Sequence, residues 1–272
     1  ERGIRPGDSH GDIVFWPLLA LAQYLLASED AAVLDEVLPF FHAEGDARAE
    51  RATLFAHVER ALGLIARRVI PGTQLAAYGN GDWNDSLQPA DPSLALRLCS
   101  SWTVTLHHQS FAARAAALRR VGRSEPAAAL EAALPLIRDD FQRLLVADGV
   151  LAGLAHFRED GRVAHWLHPR DRETGVGYSL LAMIHAILAD LFTREQAERH
   201  VDVIRRHLLA ADGARLFDRP FPYRGGLQRH FQRAETSSFF GREIGIMYTH
   251  SHLRYAEAMA HWGDAEAFFL AL

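Results

Sequence analysis

Asp12-Ile13-Val14-Phe15-Trp16-Pro17-Leu18-Leu19-Ala20-Leu21-Ala22-Gln23-Tyr24-Leu25-Leu26-Ala27-Ser28 is apolar on nearly every side when wound as a helix. Such a helix must be surrounded by protein. Pro17 fits best in a first turn, so the regular helix starts a few residues after Asp12. After a short helical stretch at Ala31–Leu38, the segment Ala49–Val69 has a different character. Leu54, Phe55, Val58, Ala61, Leu62 and Ile65 follow the helical period, with Glu59, Arg60, Arg67 and Arg68 elsewhere. This is an outer helix with one wet face.

The alternation repeats along the chain. Asp91-Pro92 is expected to open a long helix reaching about Val121, carrying Leu94, Leu98, Trp102 and Leu106. Ser124 is expected to cap the next helix, with Leu130, Leu134, Ile137, Phe141 and Leu144 on one stripe and a kink at Pro135. Val150–Phe157 and Val163–Leu167 flank Asp160-Gly161 and read as a β-hairpin. Gly177–Phe192 is apolar nearly all round, Arg194–Ala210 is amphipathic, and a last pair covers Gly245–Trp262 and Asp264–Leu272. A loop of some thirty residues, rich in Arg, Pro and Gly, separates the last two pairs; its length points to function or disorder. Buried helix followed by amphipathic helix, about four times, predicts an all-α fold: a double-ring helical barrel of the (α/α)6 type with one β-hairpin insertion. Six pairs close such a ring, so this one is incomplete, and a two-layer helical solenoid is the alternative.

At 272 residues, 49% hydrophobic and 23% charged, the chain can bury a substantial core. A formal charge of −5 gives no support to nucleic-acid binding. No apolar run approaches roughly 18 residues, so no spanning helix is expected. The single Cys99 excludes an internal disulfide, leans weakly toward the cytoplasm, and in an apolar helix is expected to be inert. The chain opens at Glu1-Arg2 rather than Met and ends within an apolar pattern at Ala271-Leu272, as expected of a fragment of a longer enzyme; residues 1–272 are read as one domain of it.

In a barrel of this kind the loops at one end of the inner ring form the mouth. Four regions supply candidates there: Arg2, Arg5, Asp8, His10 and Asp12; Asp82, Trp83 and Asp85; Arg219 and Arg224; and Glu235, Arg242, Glu243, His250 and His252. Ala77-Tyr78-Gly79-Asn80-Gly81-Asp82-Trp83-Asn84-Asp85-Ser86-Leu87 places two carboxylates around a tryptophan. A carboxyl group beside an aromatic face is equipped to protonate a sugar leaving group, although Gly-Asn-Gly-Asp is also good turn chemistry. Fifteen histidines raise the question of a metal. His107-His108 and His250-x-His252 cannot share one helix face, and His165-x-x-His168 has no partner at a standard spacing, so no metal is expected. Trp102 and Trp166 read as packing, and Glu257 with His261 as a surface pair.

Gly81-Asp82-Trp83-Asn84-Asp85 resembles the catalytic loop of the sugar phosphorylases of glycoside hydrolase family 94. Gly7-Asp8-Ser9-His10-Gly11-Asp12 stands where that family has Arg-Asp-x-x-Gln-Asp, matching both aspartates but neither the arginine nor the glutamine. Glu243-Ile244-Gly245-Ile246-Met247-Tyr248-Thr249-His250 is similar to its Glu-x-Gly segment ending in a phosphate-binding histidine. The following Ser251-His252-Leu253-Arg254-Tyr255-Ala256-Glu257 is closest to the 1,2-β-oligoglucan phosphorylase branch. The resemblance implies inverting phosphorolysis of β-glucosides, β-1,2-glucooligosaccharides foremost, to α-glucose 1-phosphate, with inorganic phosphate as substrate and no cofactor. It implies Asp85 as general acid, Asp8, Asp12, Trp83 and Asp82 with Arg5 around the sugar, and His250 on phosphate. The family's downstream Thr-Gly phosphate pair has no counterpart in the 22 residues after His250, so the full phosphate site is expected to need more chain. The expected partners are an oligosaccharide and phosphate in the cytoplasm, without nucleic acid or membrane, and a homodimer is allowed for. An inverting hydrolase of the same helical class, with Glu235 or Glu243 as base, and a non-catalytic carbohydrate-binding module are the competing readings.

Overall fold

Phe15–Ser28 forms α1 with Pro17 in its first turn, where a missing N–H costs nothing. The computed structural model describes residues 10–42, 45, 49–223, 225–237 and 247–272. Arg2, Arg5, Asp8, Arg224, Arg242 and Glu243 lie outside the described residues. Helix α1 buries Phe15, Leu18, Ala22 and Leu25, but Trp16 and Tyr24 remain 38% and 46% exposed, so it is covered on one face rather than all round.

Only the first half of the next predicted helix forms, as a 3-10 turn at Ala31–Asp35. Pro39 disfavours helix in the residue before it, and Val37–Pro39 (β1) pairs instead with Arg51–Thr53 (β2). Thr53 then caps α2 (Leu54–Arg67) by accepting from the Ala56 N–H at 3.2 Å, and this helix buries Val58 and Ile65.

The long helix expected from Asp91 is broken. Pro92–Leu96 is a 3-10 turn, Leu98–Ser100 is a strand (β3), and α3 starts only at Ser101 and runs to Arg120. Cys99 therefore lies in a buried strand, not a helix; burial pushes its thiol pKa up, which keeps it protonated and inert. Helix α4 (Ser124–Leu145) contains Pro135, and its cap position is Arg123 with no side-chain hydrogen bond, so Ser124 is its first residue rather than its cap.

Strands β4 (Val146–Ala147) and β5 (Val150–Leu151) pair with each other, and β6 (Leu154–Phe157) pairs with β7 (Val163–Trp166). The expected strand from Val150 to Phe157 is thus divided at Gly153, where a Cβ would stand 2.7 Å from Leu167 Cβ. Strand β3 adds to β6, making a three-stranded antiparallel sheet ordered β3-β6-β7. Helix α5 (Leu180–Leu188) is buried from Leu180 through Ile187, while α6 (Arg194–His207) carries a reciprocal cap between Thr193 and Gln196. A small pair, β8 (Leu209–Ala210) and β9 (Gly213–Ala214), precedes the long loop, within which Ala234–Ser237 forms one turn, α7. Helix α8 (Thr249–Trp262) ends at Gly263, whose φ of 88° suits glycine, and α9 (Ala265–Leu270) follows, capped by Asp264.

Helices α1, α3, α5 and α8 stand side by side in that order. Against them lie α4 on α3, α6 on α5 and α9 on α8. The molecule is predominantly helical and two-layered, with a continuous core from Phe15 to Ala271, but the small sheets correct the all-α expectation.

Candidate active site

The loop at 77–87 is stitched to three neighbours by its backbone. Tyr78 donates to Leu98 O at 2.8 Å, Gly79 donates to Ala95 O at 2.9 Å, and Gly11 donates to Tyr78 O at 3.0 Å and Gly81 O at 2.9 Å. A Cβ at Gly11 would lie 2.5 Å from Ala77 O and 2.6 Å from Tyr78 O. The departure from glutamine at this position is therefore what the close backbone approach demands. Gly81, at φ 131°, adopts a conformation open only to glycine.

Asp82 and Asp85 have opposite environments. Asp82 is 4% exposed: its carboxylate accepts from Ser100 Oγ at 2.6 Å, from the Asn84 N–H at 3.0 Å and from the Tyr78 hydroxyl at 3.4 Å. Burial pushes its pKa up to about 7 against those hydrogen bonds. Its hydrogen bonds tie the loop to Ser100 and Tyr78, and Asp82 is absent from the lining of the cleft described below. Asp85 instead opens a 3-10 turn, Asp85–Leu87, capped by Asn84 Oδ1 accepting from the Ser86 N–H, and its side chain is 55% exposed.

His10 Nδ1 lies 3.9 Å from Asp85 Oδ1, and its Nε2 lies 3.0 Å from Gln88 Nε2. Gln88 Oε1 accepts from the Arg233 guanidinium at 3.1 Å, which turns the Gln88 amide so that its NH2 faces His10. His10 Nε2 then accepts from that NH2, and Nδ1 faces Asp85. Arg233, Gln88 and His10 thus form a polar line ending at the exposed carboxyl group.

Asp12 is 5% exposed and accepts from Trp16 Nε1 at 3.0 Å. Burial raises its pKa; the Trp16 bond and His10 oppose this, and the charge of Asp85 adds to it. Trp16 packs 6.0 Å from Trp102, which meets His185 edge-on at 5.9 Å. His185 is held neutral, its pKa pushed down to about 3, chiefly by burial. Trp83 meets His250 edge-on at 5.1 Å and Tyr248 at 5.5 Å. His250 is exposed in the first turn of α8, where free backbone N–H groups favour an anion, and Arg254 lies one turn on.

Trp16, Trp83, Trp102, His185, His250 and Arg254 line one cleft. The cleft joins Trp83 and His250 to Trp16, Trp102 and His185; Asp12 reaches it through its hydrogen bond to Trp16, while Asp85 is met by His10, already a candidate from the sequence, and through it by Gln88 and Arg233. Of these the Asp12–Trp16 pair, four residues apart on one helix entrance, carried a readable signal; the rest are joined only by tertiary contact. Trp102 is a wall of the cleft as well as packing. Glu235, 7% exposed, spends one carboxylate oxygen on the Arg229 and His230 N–H groups and does not line this cleft. Glu257 pairs with Arg254 and His261 with Asp190, so the expected Glu257–His261 pair is absent. His165 and His168 bind the carbonyls of Leu144 and Ala147. Among the described residues no three His, Cys, Asp or Glu side chains converge on a point. A larger cavity of about 510 Å³, at Arg205, His252 and Asp264, shares no residue with the cleft.

The family model described as "Glycosyl hydrolase 94 superfamily, catalytic domain" matches residues 2–269. A protein of Listeria innocua serovar 6a named 1,2-beta-oligoglucan phosphorylase is 39% identical over 270 residues, 98% of this chain and 24% of that protein. The chain thus spans about a quarter of the length of that curated relative. Among solved structures, a GH78 family rhamnosidase of Bacillus sp. GL1 superposes with a TM-score of 0.56 at 16% identity, over 94% of this chain and 20% of that one. A sialidase superposes with a TM-score of 0.50 at 11% identity, over 80% of this chain and 19% of its own. These two likenesses concern the fold alone.

Proposed function

The chain belongs to the glycosyl hydrolase 94 superfamily, and from that premise we propose that it carries the acid side of an inverting glycoside phosphorylase acting on β-1,2-glucooligosaccharides. Asp85 protonates the departing glycosidic oxygen as the bond from that oxygen to the anomeric carbon breaks. A phosphate oxygen bonds to the same carbon from the opposite face, giving α-glucose 1-phosphate and a shortened acceptor. Phosphate is already an anion, so no catalytic base is needed, where an inverting hydrolase uses a second carboxylate to activate water. His250, in the first turn of α8, offers the phosphate charge-assisted hydrogen bonds. Asp12 and Trp83, with Arg5 and Asp8, hold the transferred glucose, and Asp82 holds the loop.

The observation that carries this reading is the contact of Trp83 with His250, which sets the anion-binding helix start beside the loop that bears Asp85. Of the two bases the hydrolase alternative would use, Glu235 does not line the cleft and Glu243 lies outside the described residues. We further infer that these paired helices are an arc of a six-pair double ring, within one catalytic domain of a cytoplasmic enzyme that uses no cofactor. The test is incubation of a β-1,2-glucooligosaccharide with and without phosphate, in the full-length enzyme. Glucose 1-phosphate formed only with phosphate supports the reading; glucose released at the same rate without it defeats it.

A further inference from the structure

Beside the catalytic loop, and sharing no residue with the cleft around Trp83, lies a second pocket of about 320 Å³. That is within the range of small-ligand sites, roughly 300–1,000 Å³. One wall is the turn at Arg172–Gly175, the other comes from residues 221–223, 225 and 227–230, and Glu235 of α7 also lines the pocket. The walls are pressed together at Gly175, where a Cβ would meet Pro222 Cγ at 3.0 Å. Residues His230–Gln232 tie the pocket to the site: His230 O accepts from the Ala90 N–H at 3.0 Å, and the Gln232 N–H donates to Gln88 O at 2.7 Å. Gln88 in turn touches His10, the neighbour of Asp85.

Glu235 makes the pocket a candidate for binding. Its Oε1 is held by the Arg229 and His230 N–H groups at 3.1 Å each, while its Oε2, buried, has no partner among the described residues. A buried carboxylate oxygen left without a donor is costly unless a ligand supplies one. Arg172 and Arg229 bring donors to the walls, and Tyr223 and Leu227 bring an apolar surface. Such a mixture, one fixed acceptor, several donors and a ring, matches the hydroxyls and the C–H faces of a sugar. A phosphate would be repelled by Glu235. A metal ion lacks the further ligands it requires.

We propose that this pocket binds a saccharide unit of the substrate chain remote from the bond that is cleaved, with Glu235 Oε2 accepting from a sugar hydroxyl. The inference rests on the function proposed above and adds a determinant of chain-length preference to it. The test is titration of the full-length enzyme with the β-1,2-linked glucose disaccharide and pentasaccharide, without phosphate and read by calorimetry, for the wild type, Glu235→Gln and Arg172→Ala. Arg172 is exposed, so its variant tests the pocket without touching the backbone clamp of Glu235. The wild type should bind the pentasaccharide about tenfold more tightly, one charged hydrogen bond's worth. Each variant should shrink that ratio below about threefold and leave the disaccharide within about twofold. Equal affinity of the wild type for both sugars, or equal loss for both in Arg172→Ala, overturns the pocket while leaving the phosphorylase reading intact. Failure of the folded wild type to bind either sugar overturns both.

Discussion

Three aspartates within a few residues of one another in space divide the labour by exposure. Asp85 is the one open to a substrate, and Asp85→Asn in the full-length enzyme should lower turnover by about 10³-fold, in the range of a lost general acid, while glucoside affinity changes less than about threefold. Initial rates and calorimetry together check it. Asp82 offers a prediction of different kind. Its pKa, ordinarily near 3.8, is about 7 in the folded chain, so between those values the folded state keeps a proton that the unfolded state has lost. Its contribution to stability is therefore present below pH 4, falls as pH rises toward 7, and is flat above that. Shifts of this size correspond to roughly 4 kcal/mol at most. Denaturant midpoints measured from pH 4 to 8 should fall for the wild type, less steeply for Asp82→Asn. The His10 line makes a further prediction at this scale. Gln88→Leu removes the donor that holds the His10 ring, and should lower kcat by about tenfold with KM little changed, as loss of orientation at the acid does.

At the scale of elements, the interruption of the expected helix at Leu98–Ser100 connects fold to site. Ser100 accepts from the Thr103 N–H at 3.4 Å as cap of α3 and donates to Asp82 at 2.6 Å, so a single hydroxyl starts a helix and anchors the loop. Ser100→Ala should cost about 1 kcal/mol for the cap and a similar amount for the buried hydrogen bond, and should lower kcat as well. Denaturant melts with rates on the same preparation check both. Periodicity located α2, α4 and α6, each with a face whose apolar residues recur at the helical interval, and near-continuous apolarity located α5 and α8. It failed at Leu98–Ser100, because three apolar or small residues fit a strand as well as a helix, and only β6 lying alongside decided the matter. It failed again at Val150–Phe157, since the break at Gly153 is imposed by Leu167 and not by local preference.

For the whole molecule, a ligand that binds only the folded state stabilises it in proportion to its saturation. If His250 and the start of α8 hold phosphate, then phosphate at about 100 times its Kd should add about 2.7 kcal/mol and raise Tm by several degrees in the full-length enzyme. Chloride at equal ionic strength should not, and His250→Ala should lose the shift; a shift that survives in this variant would place the anion elsewhere. By itself the sequence determined where the main helices lie, since apolar content and period are written in neighbouring residues, but not how fully each is covered: α1, read as buried all round, leaves Trp16 and Tyr24 exposed. It also determined the family, through Asp82-Trp83-Asn84-Asp85 and the segment ending at His250. The roles within that loop were decided only by the tertiary structure. Asp82 and Asp85 are the same residue type three positions apart, and which one faces solvent depends on Ser100 and Tyr78 closing over the first. The company of His10, Gln88 and Arg233, drawn from three distant stretches, was likewise fixed only when the chain folded, because contacts between remote segments depend on packing that no local pattern encodes.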